Sequence, residues 1–215
     1  MSPLGHEQSV ALGNWFAGMD PGCRPTAVIT STYLRARQTA AHIGKVGGVH
    51  PDARFIVDER LREREFGILD RLTRAGIEQR FPDQAALRTR LGKFYHRPPG
   101  GESWCDVILR LRSVLDTVSL HHSRPGSRVL IVAHQVVVLC LRYLIEEMTE
   151  EQILAIDAEG EVANCGVTEY VLEMKSPDTA AEDHELRLIR FNFVAPLEEA
   201  GAPVTAEPDA PAAAR

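Results

Sequence analysis

The run Val129-Leu-Ile-Val132 is the feature that most restricts the fold of this chain. Four consecutive branched apolar residues are typical of a strand that is buried on both faces, as in a parallel sheet covered by helices on each side. Ala133, His134 and Gln135 follow directly. Because open α/β sheets bind ligands at the carboxyl ends of their strands, His134 is predicted to lie at the edge where a site forms.

The rest of the pattern alternates short apolar runs with amphipathic segments. Further strands are predicted at residues 27–30, 54–57, 166–174 and 185–193. Helices are predicted after the caps Ser2, Ser103 and Thr149, and at about 34–43, 73–81, 84–91 and 136–147. This alternation predicts an α/β three-layer sandwich, with a mostly parallel sheet and helices on both faces.

The chain is predicted to form one domain over residues 1–195. The remaining residues, 196–215, are rich in Ala, Pro and Glu and contain little that can be buried. We therefore expect a disordered tail over 196–215.

Composition excludes several classes of function. A formal net charge of −6 argues against a nucleic-acid partner. Cys23, Cys105, Cys140 and Cys165 form no Cys-x-x-Cys pair, which predicts neither a zinc site nor a disulfide framework and fits a cytoplasmic location. No apolar run reaches the ~18 residues that a membrane span needs, so no membrane partner is expected.

Two further positions are candidates for chemistry. The predicted strand ending in Thr30 and Ser31 is followed four residues later by Arg35, and Glu63 lies between Arg62 and Arg64. A carboxyl group there could give or take a proton. Each candidate also has a structural interpretation: a histidine that only completes hydrogen bonds, an arginine whose stem covers apolar surface, and a glutamate in a surface ion-pair run.

Five stretches, in this order, resemble the histidine phosphatase superfamily, the phosphoglycerate mutase-like proteins. They are residues 2–8 (SPLGHEQ), 31–39 (STYLRARQT), 61–67 (LREREFG), 99–103 (PGGES) and 129–135 (VLIVAHQ). The resemblance implies metal-independent hydrolysis of a phosphomonoester through a phosphohistidine intermediate, with no cofactor. The implied substrate and partner is a small phosphorylated metabolite such as a sugar phosphate.

The resemblance also implies a role for each candidate residue. Arg35 would hold phosphate oxygens, His134 would be the second histidine at the phosphate, and Glu63 would protonate the leaving oxygen. The residue types suit these roles, because arginine and imidazolium stabilise charge on a transferring phosphoryl group and a carboxylic acid can serve an alkoxide leaving group.

The attacking histidine of the family lies in an Arg-His-Gly or Arg-His-Ala motif on a first strand, upstream of the stretch that matches residues 2–8. None of the eight histidines of this sequence stands in that context. Two interpretations remain: an incomplete sequence without that strand, or a non-catalytic phosphate-binding relative. We expect the first, because a sheet without an inner strand leaves backbone groups unpaired.

Some motifs are closer to the fructose-2,6-bisphosphatase branch, namely residues 81–88, 93–103 and 133–140. In that branch the corresponding residues contact the sugar phosphate, which implies substrate contacts for Gln135, Lys93 and Tyr95. Lys93 and Tyr95 fit a solvated loop equally well. Leu139 replaces an arginine of that branch, so a simpler phosphomonoester is expected rather than a bisphosphate.

Two alternatives stay open. One is phosphoglycerate mutase-type phosphoryl transfer, which differs from hydrolysis in the final acceptor. The other is the non-catalytic relative. A homodimer is compatible with the sequence, which does not itself specify an oligomeric state.

Overall fold

The computed structural model describes residues 1–174 and 184–206. The helices are α1 (Pro3–Ala17), α2 (Leu34–Lys45), α3 (Arg74–Arg80), α4 (Pro82–Tyr95), α5 (Trp104–His122), α6 (Gln135–Ile145), α7 (Glu150–Glu159) and α8 (Ala195–Glu199). The strands are β1 (Ala27–Ser31), β2 (Arg54–Asp58), β3 (Val129–Val132), β4 (Val167–Met174) and β5 (His184–Phe193).

A parallel sheet of three strands, in the order β2-β1-β3, forms the centre of the fold. Every residue of β1 is buried, since this strand has a neighbour on each edge and helices on each face. Strands β4 and β5 form a separate antiparallel pair. Within residues 1–174 and 184–206, β3 has a strand partner on its β1 edge only.

Helices cover both faces of the parallel sheet, as predicted. On one face Ile29 and Ile131 pack with α5 and α6, around the fully buried Trp104 and Leu111. On the other face Leu130 packs with apolar residues of α1 and α2. The predicted α/β class with a parallel sheet is confirmed.

Helix boundaries follow the predicted caps. The Ser2 hydroxyl accepts from the Gly5 amide, and capping boxes start α5 at Ser103 and α7 at Thr149. The helix predicted over 84–91 is longer, since Pro82 gives α4 an earlier start. The helix is kinked at Gly92, whose φ is 78°, and ends at Tyr95.

The prediction of a disordered tail over 196–215 is wrong for residues 196–206. Leu197, in α8, is fully buried and packs with Ala11 of α1. The Gln8 amide donates to the Pro203 carbonyl at 2.7 Å and to Thr205 Oγ1 at 2.9 Å. The composition of this segment did not indicate its packing, because one leucine and a few hydrogen-bond acceptors suffice to anchor it. Residues 207–215 lie outside the described part of the chain.

Replacing Leu111 with Ala is expected to destabilise the domain by about 3 kcal/mol, because it opens a cavity at a fully buried site between α5 and the sheet. The measurement is the free energy of unfolding in urea. Leu109→Ala is the matched control on the same helix, since Leu109 is 71% exposed and its replacement should cost less than about 0.5 kcal/mol. Equal costs for the two variants would contradict the described packing of α5.

Candidate functional site

The pairing of β1 with β3 brings Ser31 and His134 together. Thr30 lies beside Val132 in the parallel register, so β1 and β3 end next to each other at the same edge of the sheet. His134 is the N-cap residue of α6 and is only 7% exposed. Its Nε2 lies 2.8 Å from Ser31 Oγ. The predicted position of His134 at the carboxyl edge of the sheet is therefore observed.

Arg35 meets the other nitrogen of the same ring. It lies in the first turn of α2, and its Nη2 is 3.1 Å from His134 Nδ1. A guanidinium group only donates hydrogen bonds, so Nδ1 is the acceptor and the ring proton lies on Nε2. The guanidinium also lies over the ring of Tyr33, 5.1 Å from its centroid, and that ring makes an edge contact with His134.

The site holds His134 as a neutral imidazole. Burial, followed by the charges of Arg35 and Arg110, lowers the pKa of His134 from 6.5 to about 3. The expected imidazolium is therefore absent from the ligand-free site, because burial disfavours the charged form and both nearby guanidinium groups repel it. The fixed positive charge next to the ring comes from arginine.

Glu63 completes the group around this ring. Its Oε2 lies 3.9 Å from His134 Nδ1, and its Oε1 accepts from the Arg64 amide at 2.9 Å. Arg35 and Glu63 thus approach the same ring nitrogen from α2 and from the loop after β2. A carboxyl group and a guanidinium group, which could serve as a proton donor and an anion-binding group, are held at one point.

Glu102 holds the loop that carries Glu63. Its carboxylate accepts from Arg62 at 2.7 Å and from Arg110 Nε at 2.9 Å, and its second oxygen accepts from the Glu65 amide at 3.2 Å. Arg64 Nε donates to the Glu102 carbonyl at 2.9 Å, and Arg64 is 2% exposed. Glu63 therefore lies beside a buried arginine and a buried carboxylate, while Arg62 and Glu65 of the same segment stay partly exposed.

The other predicted contact residues lie apart from this group. Lys93 Nζ pairs with both carboxylate oxygens of Asp157 at 2.8 and 2.7 Å, and the Tyr95 hydroxyl bonds to Glu150 at the start of α7. Gln135 follows His134 directly, and its Oε1 accepts from the Val162 amide at 3.3 Å. Arg35, Glu63 and His134 are brought together, whereas Lys93 and Tyr95 turn toward α7.

A cavity of about 410 Å³ lies between α3 and α4. Arg74, Arg88 and Lys93 supply its positive charge, and Phe66 lines it from the loop that carries Glu63. Arg74 and Arg88 were not singled out in the sequence. The signal was weak, because two arginines 14 positions apart on different helices have no recognisable spacing.

Sequence reasoning gave no role to Ser31, Tyr33, Glu102 or Arg110, all of which support the site. Ser31 had a usable signal, because it ends a strand predicted to lie parallel to the one before His134. Glu102 lies within the stretch 99–103, but nothing local predicts that Arg110, two turns along α5, joins it.

The remaining histidines lie elsewhere in the fold. His6 and His42 contact each other at 2.6 Å between α1 and α2, and His96 is buried beside Gln84. The other four are His50, His121, His122 and His184. None of these seven follows the end of a parallel strand in the part of the chain that the structure describes.

Comparison with known proteins decides the family. A family model described as the histidine phosphatase superfamily (branch 1) matches residues 1–182. The chain belongs to this superfamily. The resemblance found in the five sequence stretches is thereby confirmed.

Relatives of this histidine phosphatase-superfamily chain include sugar-phosphate enzymes. A 6-phosphofructo-2-kinase/fructose-2,6-bisphosphatase of Caenorhabditis elegans is 32% identical over 199 residues, which is 87% of the chain and 40% of that protein. A 2,3-bisphosphoglycerate-dependent phosphoglycerate mutase of Chelativorans sp. is 30% identical over 162 residues, covering 73% of the chain and 74% of that protein. The chain spans 34% and 40% of the length of the curated fructose-2,6-bisphosphatase relatives from Schizosaccharomyces pombe and Caenorhabditis elegans.

Solved structures agree with the fold. A mycobacterial glucosyl-3-phosphoglycerate phosphatase in complex with VO3 superposes with a TM-score of 0.68 at 26% identity, over 89% of this chain and 86% of that one. The sheet and the helix layers are therefore those of this superfamily.

Stability is expected to fall as the pH drops below about 6.5, because the unfolded chain then binds a proton at His134 that the folded protein excludes until its pKa of about 3. The slope from this group is about 1.4 kcal/mol per pH unit. We would measure urea unfolding from pH 7 to pH 5 for the wild type and His134→Gln, with His121→Gln as a matched substitution. A wild-type slope retained in His134→Gln would contradict a neutral buried His134.

Proposed function

We propose that this site serves metal-independent phosphomonoester hydrolysis through a phosphohistidine intermediate. The observation that supports it best is the meeting of Arg35 and Glu63 at the Nδ1 side of His134, at the carboxyl edge of the parallel sheet. A phosphoryl group placed there meets a cationic donor, an imidazole and a carboxyl group at once. Phosphatases among the relatives support the same reaction.

Each residue has one step in this proposal. Arg35 and His134 bind the phosphate oxygens and stabilise the charge of the transition state. A histidine nitrogen attacks phosphorus, the ester P–O bond breaks, and Glu63 gives its proton to the leaving oxygen. Water then cleaves the P–N bond. The attacking histidine is the one that the family resemblance implies, and none of the eight in this sequence is proposed for that step.

The proposed substrate is a small phosphorylated metabolite such as a sugar phosphate. The cavity with Arg74, Arg88 and Lys93 suits a polar or anionic substrate body, and Phe66 lines it from the loop that carries Glu63. Gln135 and Tyr95 are proposed as further contacts. Leu139 is fully buried in the α5–α6 core, so no arginine reaches the site from that turn, which favours a monoester over a bisphosphate.

Phosphoglycerate mutase-type transfer is the second candidate, supported by the relative from Chelativorans. It requires a second acceptor that takes the phosphoryl group before water does. Incubation with labelled sugar phosphate and an unlabelled acceptor separates the two reactions. Labelled phosphoryl on the acceptor indicates a mutase, and labelled inorganic phosphate alone indicates a phosphatase.

Added imidazole is expected to act as an external nucleophile for the 215-residue chain, because Arg35, His134 and Glu63 are already in place. Imidazole-dependent phosphate release from a panel of sugar phosphates should fall by about 10²-fold in Glu63→Gln and by at least as much in His134→Ala. Glu161→Gln and His121→Ala, at exposed or remote positions, are the matched controls.

Phosphorus NMR would detect the phosphoimidazole intermediate in the same assay. Turnover near the wild-type level in both Glu63→Gln and His134→Ala would contradict the assigned roles. Binding of inorganic phosphate without imidazole-dependent turnover would instead support the non-catalytic phosphate-binding relative.

A cytoplasmic location is proposed from the cysteines. Cys23, Cys105 and Cys165 are free thiols, as expected in a reducing compartment. Among the helices that the structure describes, none combines the length and the apolar character of a membrane span.

We also propose a homodimer through the free edge of β2. Phe55, Ile56 and Val57 are 50%, 38% and 52% exposed on this edge strand, which pairs only with β1 in the described ranges. An exposed apolar edge strand is a template for further pairing. Antiparallel pairing of two copies about Ile56 places Ile56 opposite itself and Arg54 opposite Asp58, whose carboxylate already pairs with Arg60.

Ile56→Lys is expected to abolish this dimer, because it places like charges opposite each other at the centre of the pair. The measurement is sedimentation equilibrium over a range of protein concentrations. Leu120→Lys is the matched control, since Leu120 is 76% exposed on α5 and outside the proposed interface. A monomeric wild type, or a dimer that survives Ile56→Lys, would rule this interface out.

A further inference from the structure

Ser31 is fully buried at the end of β1, with its hydroxyl 2.8 Å from His134 Nε2. We propose that Ser31 is a positioning residue: it accepts the Nε2–H of His134 and so leaves Nδ1 as the ring atom that faces phosphate. This inference rests on the proposed function and adds a determinant of the ring's tautomer and orientation.

The hydrogen bonds around the ring fix the direction of each donor. Arg35 can only donate, so His134 Nδ1 accepts and Nε2 carries the proton. Ser31 Oγ has two lone pairs, and its donors are the Nε2–H of His134 and, at 3.3 Å, the Tyr33 amide. The backbone of the turn after β1 thus holds the hydroxyl as an acceptor, and the hydroxyl holds the ring.

Phosphate binding changes only the Nδ1 side. The Arg35 guanidinium turns from Nδ1 to a phosphate oxygen, and Nδ1 must then donate in order to bond to phosphate. The ring therefore takes one proton from solvent for each phosphate bound. The Nε2–H bond to Ser31 is the same before and after phosphate binds. Ser31 therefore fixes the Nε2 side of the ring, while Nδ1 changes from acceptor to donor.

Charges on every side of the ring act on this proton uptake. Arg35 on α2 and Arg110 on α5 oppose it, and the carboxyl group of Glu63 and the charge of a bound phosphate favour it. Tyr33 faces the ring with its edge, and its hydroxyl donates to Glu65 at 3.2 Å rather than to the imidazole. Uptake is therefore coupled to the arrival of phosphate.

The test uses the 215-residue chain with nitrogen-labelled histidine. Nitrogen NMR distinguishes protonated from bare ring nitrogens, and the signals of His134 are assigned by their loss in His134→Gln. The wild type is expected to show a single form protonated at Nε2. Ser31→Cys keeps most of the volume but is a weak acceptor, and Ser31→Ala removes the acceptor. Both are made in an Arg35→Met background, where the guanidinium no longer donates to Nδ1. Arg35→Met alone should stay protonated at Nε2, and the two double variants should show a mixture of the two neutral forms.

Calorimetric titration with inorganic phosphate, in two buffers of different ionisation enthalpy, measures the coupled proton. About one proton per phosphate is expected for the wild type, and Ser31→Ala and Ser31→Cys should bind phosphate about 5- to 10-fold more weakly, which corresponds to the loss of one hydrogen bond. Thr30→Val, at the adjacent buried position of β1, is the matched control and should keep the wild-type NMR form and affinity.

Two failures are distinguishable. A single Nε2-protonated form retained in the Arg35→Met background by both Ser31→Ala and Ser31→Cys would overturn the role of Ser31, whatever happens to phosphate. A wild type that shows the expected NMR form but binds no phosphate would overturn the proposed function, and with it the proton uptake, while leaving the tautomer assignment to Ser31 supported.

Discussion

The parallel register of β1 with β3 is the constraint on which the site depends. Thr30 lies beside Val132, so Ser31 and His134 leave the sheet side by side. A slip of one residue would move one strand end by about 3.3 Å and turn its side chains to the opposite face. Because helices pack on both faces of the sheet, such a slip would exchange the helix layers that Leu130 and Ile131 contact and disrupt the packing of both. Core packing thereby fixes the distance between the two polar side chains.

A second interaction holds the loop that carries Glu63. The Glu102 carboxylate binds Arg62 and Arg110, and a buried carboxylate is stable only when its hydrogen bonds are satisfied in this way. The two backbone segments also approach closely: a Cβ at Gly67 would lie 2.1 Å from the Pro99 carbonyl oxygen. Two of the five family-like stretches therefore pack directly on each other, which explains why both are needed to place Glu63.

The electrostatics of the site bear on the proposed binding of a phosphate. Without a ligand, Arg35 donates to a neutral His134 and Glu63 lies 3.9 Å from the same nitrogen. In the proposed function, all three groups exchange these contacts for contacts to phosphate. Such a preformed arrangement reduces the reorganisation that accompanies charge development in a transition state.

Local sequence signals predicted most of the secondary structure of this protein and two of its site residues. Capping residues, strand-length apolar runs and glycine breaks predicted most elements near their observed positions, and strand ends indicated His134 and Arg35. Only tertiary structure decided what depends on distant partners: the neutral state of His134 beside two arginines, the pairing of Lys93 with Asp157, the network around Glu102, and the packing of residues 196–206 on α1. The physical reason is that capping and periodicity act over a few residues along the chain, whereas burial and charge pairing depend on groups that only folding brings together.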